Sequence, residues 1–392
     1  MRILYHHRTR ATDAQKVHIL EMITAFRDSG HHVSVASLVK TEHKQVEPEQ
    51  EAREAPWKRL MRKIPLAYEL VQLAYNLFGI PWLLYKIHRT RADFVYERYS
   101  LLNASGVIAA RLTGKPIVLE VNSPLALEMS RENEVRAGGF ASWMERRICC
   151  AATKVVVVSN PLRRIMIRNG VPEFKLVLLP NGVNLARFRA IADGHALRDS
   201  RGIGNRTVIG FVGWFRAWHG LEFLLQAFCK SGLSGSDAVL LLVGDGPAAG
   251  RLKDYVQRMR LGDSVIFTGP VSHEDIPSFV ELFDIAVQPA ANEYCCPMKI
   301  LEYMGLAKAI IAPAQENIEE LLEGGRNAVL FRPGEVESLA GALAMLAADP
   351  ALRSQIGKRA LQTIYERGLL WESNAQKVVE MLQAEPSLVA YE

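Results

Sequence analysis

Two adjacent cysteines, a lysine and a glutamate stand close together in NEYCCPMKILEYMG, the stretch from Asn292 to Gly305. It follows the apolar run DIAVQPA, which predicts a strand, and Pro297 suits the first turn of a helix that Gly305 would end. Cys295 and Cys296 would then lie at a helix N-terminus, where small side chains let a ligand approach the backbone N–H groups. The stretch predicts a ligand-binding loop.

Lys299 and Glu302 would share one face of this helix because they are three residues apart. In one interpretation Lys299 contacts phosphate and Glu302 accepts hydrogen bonds from ribose hydroxyls. In a second they form an ordinary surface pair, worth about 0.3–0.5 kcal/mol. In a third a cysteine is catalytic, since a helix N-terminus and a lysine lower a thiol pKa. We rank the third last because no histidine lies nearby in the sequence to act as its base.

A second candidate loop lies in GFVGWFRAWHG, from Gly210 to Gly220. A predicted strand ends at Gly213, and the loop carries Arg216 and His219 before a predicted helix. The N-terminus of that helix and the guanidinium favour a diphosphate, whereas the alternative is a surface loop with a solvated arginine. LLVGDGPAAGRL repeats the strand–turn–helix plan at Gly244. Neither loop matches GxGxxG or the Walker pattern, which argues against dinucleotide dehydrogenases and ATPases.

Strand-like apolar runs alternate with amphipathic, helix-length segments along the whole chain. The runs are RILYH, HVSVAS, DFVYE, PIVLEV, KVVVVS and KLVLLP in the first half, and TVIGFVG, AVLLLVGDG, SVIFTG, DIAVQP, AIIAP and AVLFRP in the second. This alternation predicts an α/β fold of two doubly wound parallel-sheet domains. The polar stretch from Ala186 to Thr207 predicts the linker between them. Ligands bind outside the carboxyl ends of such strands, so we expect the two domains to face a central cleft.

Composition excludes several classes of protein. With 392 residues, 49% of them hydrophobic and 23% charged, the chain can form two or three globular domains. Its net charge of +5 is mild and no nucleic-acid module is recognisable, so we expect no nucleic-acid partner. The five cysteines lack metal-ligand spacing, which predicts reduced thiols in a cytoplasmic protein. Residues 70–85 are uncharged but shorter than the roughly 20 residues that a membrane span needs.

Several stretches together resemble glycosyltransferase family 4, whose members have the GT-B fold of two Rossmann-like domains. They are PNGVNLARF, FVGWFRAWHGLEFLLQAF, LLVGDGP, VIFTGPVSHEDIPSFVELFDIAVQP, PMKILEYMGLAKAIIAP and LWESNAQKVVEML. The resemblance implies an acceptor-binding domain over residues 1–190, a donor-binding domain over residues 191–370, and a C-terminal helix within 371–392 that crosses back to the first domain. It also implies transfer of a sugar from a nucleotide-diphosphate sugar, with retention and without a metal or other cofactor.

The resemblance assigns roles to individual residues. Arg216, Lys299 and Glu302 would be the catalytic residues, with Arg216 and Lys299 at the diphosphate and Glu302 at the ribose. His219 stands where relatives have a lysine, and as a phosphate ligand it would give activity that falls as the ring loses its proton, unless the neutral ring donates from its N–H. The family's first acidic position falls on Tyr294, with Glu293 one residue early. The residues expected to bind the donor are Gly213, Arg216, His219, Gly244, Val271, Tyr294, Cys295, Cys296, Pro297, Met298, Lys299 and Glu302.

The first domain departs further from the family pattern. It has RTRATDAQKVHI in place of a Gly-Gly loop, and Asn122 in place of a histidine thought to assist at the reacting sugar. Glu97, Arg98, Glu120 and Asn122 are acceptor-side candidates because they sit at predicted strand ends. Capping or local salt bridges explain each of them equally well.

Basic residues flank an apolar, aromatic segment between Trp57 and Arg91. This pattern favours contact with an anionic membrane surface, and the alternative is a pair of ordinary helices with basic solvent faces. We expect a lipid-linked or polysaccharide acceptor at the inner face of the membrane, in cell-surface polysaccharide biosynthesis. Two other functions stay open: a non-catalytic GT-B module that binds nucleotide sugars or supports a partner protein, and a nucleotide-sugar epimerase, against which PMKILEYMG argues.

Overall fold

The computed structural model of the chain describes residues 1–9, 14–37, 66–188, 194–235 and 237–384. The chain divides into two compact units. The first contains Met1–Pro180 and the segment that begins at Trp371, and the second contains Asn181–Leu370. The division falls ten residues before the boundary expected at 190/191. The reason is that residues from Asn181 onward already pack with the second unit, as the bridge between Val183 and Leu370 shows.

The first unit is built on a parallel six-stranded sheet with the order β2-β1-β3-β4-β5-β6. Its strands are β1 (Arg2–His6), β2 (His32–Ala36), β3 (Phe94–Arg98), β4 (Ile117–Val121), β5 (Lys154–Val157) and β6 (Leu176–Leu178). Its described helices are α1 (Ala14–Asp28), α2 (Ala67–Thr90), α3 (Ser105–Leu112), α4 (Leu125–Arg131), α5 (Gly138–Ala151), α6 (Asn160–Arg168) and the last helix of the chain, α15 (Trp371–Gln383).

The second unit has the same design, with strand order β12-β11-β10-β7-β8-β9. Its strands are β7 (Thr207–Val212), β8 (Ala238–Val243), β9 (Val265–Phe267), β10 (Ile285–Val287), β11 (Ala309–Pro313) and β12 (Val329–Phe331). Its described helices are α7 (Gly194–Ser200), α8 (Leu221–Lys230), α9 (Ala249–Arg258), α10 (Ile276–Glu281), α11 (Met298–Gly305), α12 (Glu316–Glu319), α13 (Val336–Ala348) and α14 (Pro350–Arg367).

All twelve strand-like runs of the sequence form strands, so the predicted α/β fold of two doubly wound sheets is confirmed. The runs are apolar on both faces because helices cover both sides of a parallel sheet. In the second unit β7 pairs with β8 on one side and with β10 on the other. The strand order therefore reverses between β7 and β10, which is where open α/β sheets bind their ligands.

Part of the predicted linker and of the predicted membrane segment lies outside the described residues. Residues 189–193 and the basic stretch from Trp57 to Lys63 belong to that part. The rest of the linker forms a 3-10 helix at Leu185–Phe188 and then α7. The apolar segment forms one long helix, α2, and no described helix is long and apolar enough to cross a membrane.

Helix α14 supports the helix that carries Lys299 and Glu302. Asp349 caps its N-terminus by accepting a hydrogen bond from the amide of Leu352 at 2.9 Å, and Pro350 occupies the first turn. It packs against α11, and a Cβ added at Gly357 would lie 1.9 Å from the carbonyl oxygen of Ala307. Only glycine permits this approach, since the obstacle is backbone.

We expect Gly357→Ala to lower the free energy of unfolding of the second unit by about 1–3 kcal/mol, because the added methyl group has no space. Gly341→Ala on α13 is the matched control, since a Cβ there meets nothing within 4 Å. It should raise stability by about 0.4–1 kcal/mol. Thermal and urea unfolding of both variants measure the difference, and equal stabilities would contradict the close packing of α14.

Candidate functional site

Glycine backbones hold the loops after β7 and β8 against each other. Gly213, Gly244 and Gly246 have φ values of 146°, 124° and 153°, a region that side chains disfavour. A Cβ on Gly244 would lie 2.2 Å from the carbonyl oxygen of Gly213, and one on Gly246 would lie 2.5 Å from the amide nitrogen of Phe215. The amide of Phe215 also donates to the carbonyl of Asp245 at 2.7 Å. The two loops therefore form one rigid floor.

The loop after β9 joins this floor. The hydroxyl of Thr268 accepts a hydrogen bond from the amide of Gly244 at 3.1 Å and donates to the carbonyl of Gly269 at 2.8 Å. Gly244 and Gly269 also form a backbone bridge. Val271, expected near the base of a nucleotide, is half-buried and follows Gly269 by two residues. Three adjacent strand ends thus contribute to the same edge of the sheet.

His219 is buried and belongs to a 3-10 helix at Ala217–His219. Its Nδ1 accepts a hydrogen bond from the amide of Arg216 at 3.4 Å. Burial, and then the nearby charge of Lys299, lower the pKa of His219 to about 2. This pKa favours the neutral ring at pH 7, so His219 would meet a phosphate as a neutral N–H donor, and its role at the diphosphate stays a prediction. In the structure the ring holds the loop, with Phe211 edge-on at 5.5 Å.

Arg216 is exposed on this loop between two exposed tryptophans, Trp214 and Trp218. Its charge also lowers the pKa of His219. Arg216 and Lys299 come from separate elements, and the charge of each lowers the pKa of the buried His219 ring.

The loop after β10 is fixed by two asparagine side chains. The Asn317 amide on α12 donates to the carbonyl oxygens of Asn292 and Cys295 at 2.9 and 2.7 Å. The Asn181 amide donates to the carbonyl of Cys296 at 2.7 Å. These bonds hold the backbone that leads into α11, and their donors come from positions far away in the sequence.

The environment of Cys296 argues against catalysis by its thiol. Burial raises the pKa of Cys296 to about 12, so the expected lowering by the helix N-terminus and by Lys299 does not occur. The side chain is 6% exposed and packs as a small residue. Cys295 is half-buried, and its Sγ donates to the carbonyl of Asn292 at 3.3 Å. Together the two cysteines fill space beneath the loop.

Helix α11 begins at Met298, with Pro297 as its N-cap residue rather than in its first turn. The helix is anchored to β7 through the Tyr303 hydroxyl, which accepts a hydrogen bond from the amide of Val212 at 3.1 Å. Tyr303 is fully buried and lies against Phe283 at 6.1 Å between ring centroids. This anchor brings the first turn of α11 over the end of β7.

Lys299 reaches the floor from that turn. A Cβ on Gly213 would lie 3.0 Å from its Nζ, and the Nζ sits 4.1 Å from the centroid of the Phe211 ring. The Nζ is buried and makes no hydrogen bond with any part of the chain that the structure describes. Burial lowers the pKa of Lys299 to about 7, although the charge of Glu302 opposes the shift. The face of the Phe211 ring attracts the ammonium and offsets part of the free-energy cost of burying it. The rest of that cost remains because no described residue accepts a hydrogen bond from the Nζ.

Glu302 is half-buried one turn further along α11. The simple surface-pair interpretation does not apply to Lys299, because its ammonium is buried and makes no hydrogen bond with the described residues. Of the two candidates for the first acidic position, Tyr294 is buried and Glu293 is exposed. The structure thus gathers Gly213, Gly244, His219 and Lys299 at one edge.

The acceptor-side candidates of the first unit fall into two groups. Arg98 donates to Glu120 at 2.6 Å, and Asn122 donates to the same carboxylate. Tyr96 and His18 complete this network, with the Tyr96 hydroxyl donating to Glu120 at 2.8 Å. Burial alone would raise the pKa of Glu120, but the charges of His18 and Arg98 lower it.

Glu97 lies apart from that network because neighbouring residues of a strand point to opposite faces. Its carboxylate accepts a hydrogen bond from Asn103 at 2.7 Å and lies 3.2 Å from His6 Nδ1. A Cβ on Gly106 would lie 1.4 Å from its Oε2. Arg98 and Glu120 therefore form the local ion pair that was the alternative to an acceptor role. Glu97 instead packs closely against Gly106 of α3.

Several residues of the site could not be recognised from the sequence. Asn181 lies in the quoted PNGVNLARF, but nothing in that string indicates that its amide binds a loop 115 residues away. Asn317, Phe211 and Tyr303 carry no pattern that separates them from ordinary core residues. Within the described residues, no group of three or more histidine, cysteine, aspartate or glutamate side chains is placed to hold a metal ion.

Comparisons with known proteins agree on one family. A family profile described as Glycosyltransferase Family 4 matches residues 15–187, and one described as Glycosyl transferases group 1 matches residues 206–349. Among curated relatives, an alpha-D-kanosaminyltransferase of Streptomyces kanamyceticus is 27% identical over 71% of this chain and 75% of its own length. A UDP-Gal:alpha-D-GlcNAc-diphosphoundecaprenol alpha-1,3-galactosyltransferase of Escherichia coli is 27% identical over 69% of this chain and 70% of its own.

Solved structures show the same fold. Anabaena HepE in complex with UDP matches with a TM-score of 0.74 and 18% identity, covering 98% of this chain and 100% of that protein. A glycosyltransferase of Rickettsia africae matches with a TM-score of 0.75 and 17% identity, with 97% of each chain covered. Two parallel six-stranded sheets, the two family profiles and these relatives together show that the chain is a glycosyltransferase of family 4 with the GT-B fold.

Proposed function

We propose that this glycosyltransferase takes its sugar from a nucleotide-diphosphate sugar bound to the second unit. The observation that carries the proposal is the buried Lys299 ammonium above Gly213, which makes no hydrogen bond with the described residues. A buried cation without an acceptor costs free energy that a bound anion recovers. Its place at the reversal of strand order is where such sheets bind nucleotides.

The residues around Lys299 suit the parts of such a donor. Lys299 and Arg216 supply positive charge for the diphosphate, and the first turn of α11 supplies backbone N–H groups. Glu302 accepts hydrogen bonds from ribose hydroxyls, and Val271 lies against the base. The rigid glycine floor lets the diphosphate approach the backbone where a side chain would obstruct it.

In this proposal the reaction depends on stabilising the leaving nucleoside diphosphate. Negative charge grows on the diphosphate as its bond to the sugar breaks, and fixed cations in a dry site stabilise that charge. The acceptor hydroxyl attacks the anomeric carbon, and its proton ends on the leaving phosphate oxygen. We propose that the acceptor attacks on the face of the sugar that the diphosphate leaves, which retains the anomeric configuration. We also propose that no metal is needed, since Lys299 and Arg216 provide the positive charge.

We propose a lipid-linked or oligosaccharide acceptor and a place at the inner face of the membrane. The Escherichia coli relative supports this acceptor class, since its name specifies a diphosphoundecaprenol-linked sugar. The same name and the UDP bound to HepE make uridine nucleotides the first donors to test. A role in cell-surface polysaccharide biosynthesis would follow from such an acceptor.

A thermal-shift screen with UDP, GDP, ADP, TDP and CMP tests the donor site. One nucleotide, at a hundred times its dissociation constant, should stabilise the protein by about 2.7 kcal/mol. Glu302→Gln should weaken the binding of that nucleotide by about 1.5–3 kcal/mol, because a charged hydrogen-bond acceptor is lost. If no nucleotide shifts the melting temperature, the alternative of a non-catalytic module that supports a partner protein gains.

Lys299→Met should separate stability from function. We expect it to raise the stability of the unliganded protein by about 0.5–2 kcal/mol, because it removes a desolvated ammonium, and to abolish the nucleotide shift. Lys358→Met on α14 is the control, since that lysine is exposed and should leave both unchanged. Loss of stability in Lys299→Met with an intact nucleotide shift would show that Lys299 is structural.

The pH dependence of binding follows from the pKa of Lys299 near 7. An anion favours the ammonium form, so binding raises this pKa and takes up a proton above pH 7. Affinity for the selected nucleotide sugar should be constant below pH 7 and fall by up to about tenfold per pH unit above it. Calorimetry between pH 6 and 9 measures this, and Lys299→Arg should bind independently of pH because arginine stays protonated.

A further inference from the structure

The outward face of α2 is apolar along most of its length. Exposed side chains recur at helical spacing, with Leu70 62%, Leu77 81%, Phe78 53% and Tyr85 60% exposed. Val71, Ala74 and Pro81 are exposed on the same side. A helix packed on a sheet normally presents polar residues to water, so this face has the opposite pattern. Apolar surface of this extent marks an interaction site.

The exposed charges of α2 are positive. The acidic residue of α2, Glu69, is buried, and its carboxylate accepts hydrogen bonds from the amides of Arg136 and Ala137 at 2.7 and 3.1 Å. At the other end, Arg89 and Arg91 are exposed where the helix finishes. The exposed surface of α2 therefore combines apolar side chains with cations and, among its described side chains, lacks exposed acidic groups.

Helix α5 adds a second element with the same character. Phe140 and Trp143 are 41% and 52% exposed and stack on each other with centroids 5.8 Å apart. Arg146 and Arg147 are exposed beside them, and the acidic residue of this helix, Glu145, is 1% exposed. Aromatic rings next to arginines suit the boundary between lipid headgroups and acyl chains.

The two helices are held to each other through buried contacts. Glu69 of α2 binds the backbone at the N-terminus of α5, as described above. Leu73 of α2 and Met144 of α5 pack against the same buried cluster around Ala141. We call the exposed apolar residues of α2, together with Phe140 and Trp143, the α2–α5 face.

We propose that the α2–α5 face binds the surface of an anionic lipid bilayer, with its apolar side chains in the interface and its arginines at the headgroups. This binding does not depend on the donor site, although it deepens the proposed function by naming the surface that meets the membrane. No described helix could span a bilayer, so the contact is interfacial. A second copy of the chain fits less well, because a twofold interface would bring like-charged arginines together.

Flotation of the purified full-length protein with vesicles tests the proposal. We expect binding to vesicles of phosphatidylglycerol and phosphatidylethanolamine, weaker binding to phosphatidylcholine, and release at high salt. Leu77→Ser with Phe78→Ser should reduce the partition coefficient about tenfold or more, since two apolar side chains leave the interface. Arg146→Gln with Arg147→Gln should reduce it by a similar factor on anionic vesicles only.

Phe174→Ser is the matched control, because Phe174 is 74% exposed but lies outside both helices, and it should bind as the wild type does. Unfolding curves and the nucleotide shift without lipid should be unchanged in all variants, which separates this test from that of the donor site. Absence of vesicle binding, or equal binding of the Leu77/Phe78 variant, overturns the proposal. So does a wild-type dimer that becomes monomeric in that variant without any vesicle binding.

Discussion

The proposed donor site depends on an ammonium group that the fold holds away from water without a hydrogen bond to any described residue. Lys299 can occupy this place only because Tyr303 fixes α11 to the end of β7, Phe211 offers a ring face, and Gly213 lacks a side chain. Each of these contacts stabilises the protein by itself, whereas the buried charge costs free energy. The free energy that the protein loses by burying this charge is therefore recovered when an anionic ligand binds. The same desolvation strengthens the electrostatic attraction between the ammonium and that anion.

The sequence predicted the sheets well because each strand of a doubly wound fold is a short apolar run between turn residues. It also placed the glycine loops correctly at strand ends and Lys299 on the helix that follows β10, since order along the chain determines which loops share an edge. It could not predict the lowered pKa of His219. That pKa depends on burial and on the charge of Lys299, which is distant in the sequence. The same limit applies to Cys296, whose environment is set by Asn181 and by the packing beneath α11.

The first unit shows a different limit of sequence reasoning. Strand-end residues such as Arg98 and Glu120 were candidates for the acceptor, but the structure pairs them with each other, with Tyr96 and with Asn122. A buried carboxylate needs several donors, and this one has found them within the unit. Which side chains of the first unit remain available to a substrate is decided by such pairings, and pairings between strands cannot be predicted from residue types alone.

The last helix of the chain belongs structurally to its beginning. Helix α15 packs on α1, Trp371 lies edge-on to His18 at 4.7 Å, and the Asn374 amide donates to the carbonyl of Pro180 at 2.7 Å. Trp371 thus covers the histidine that accompanies Arg98 and Glu120. A truncation or proteolytic cut after Leu370 would leave the second unit whole and would instead open the buried ion pair of the first unit to water. In a series of C-terminal deletions, loss of α15 would therefore destabilise the first unit, which contains the N-terminus.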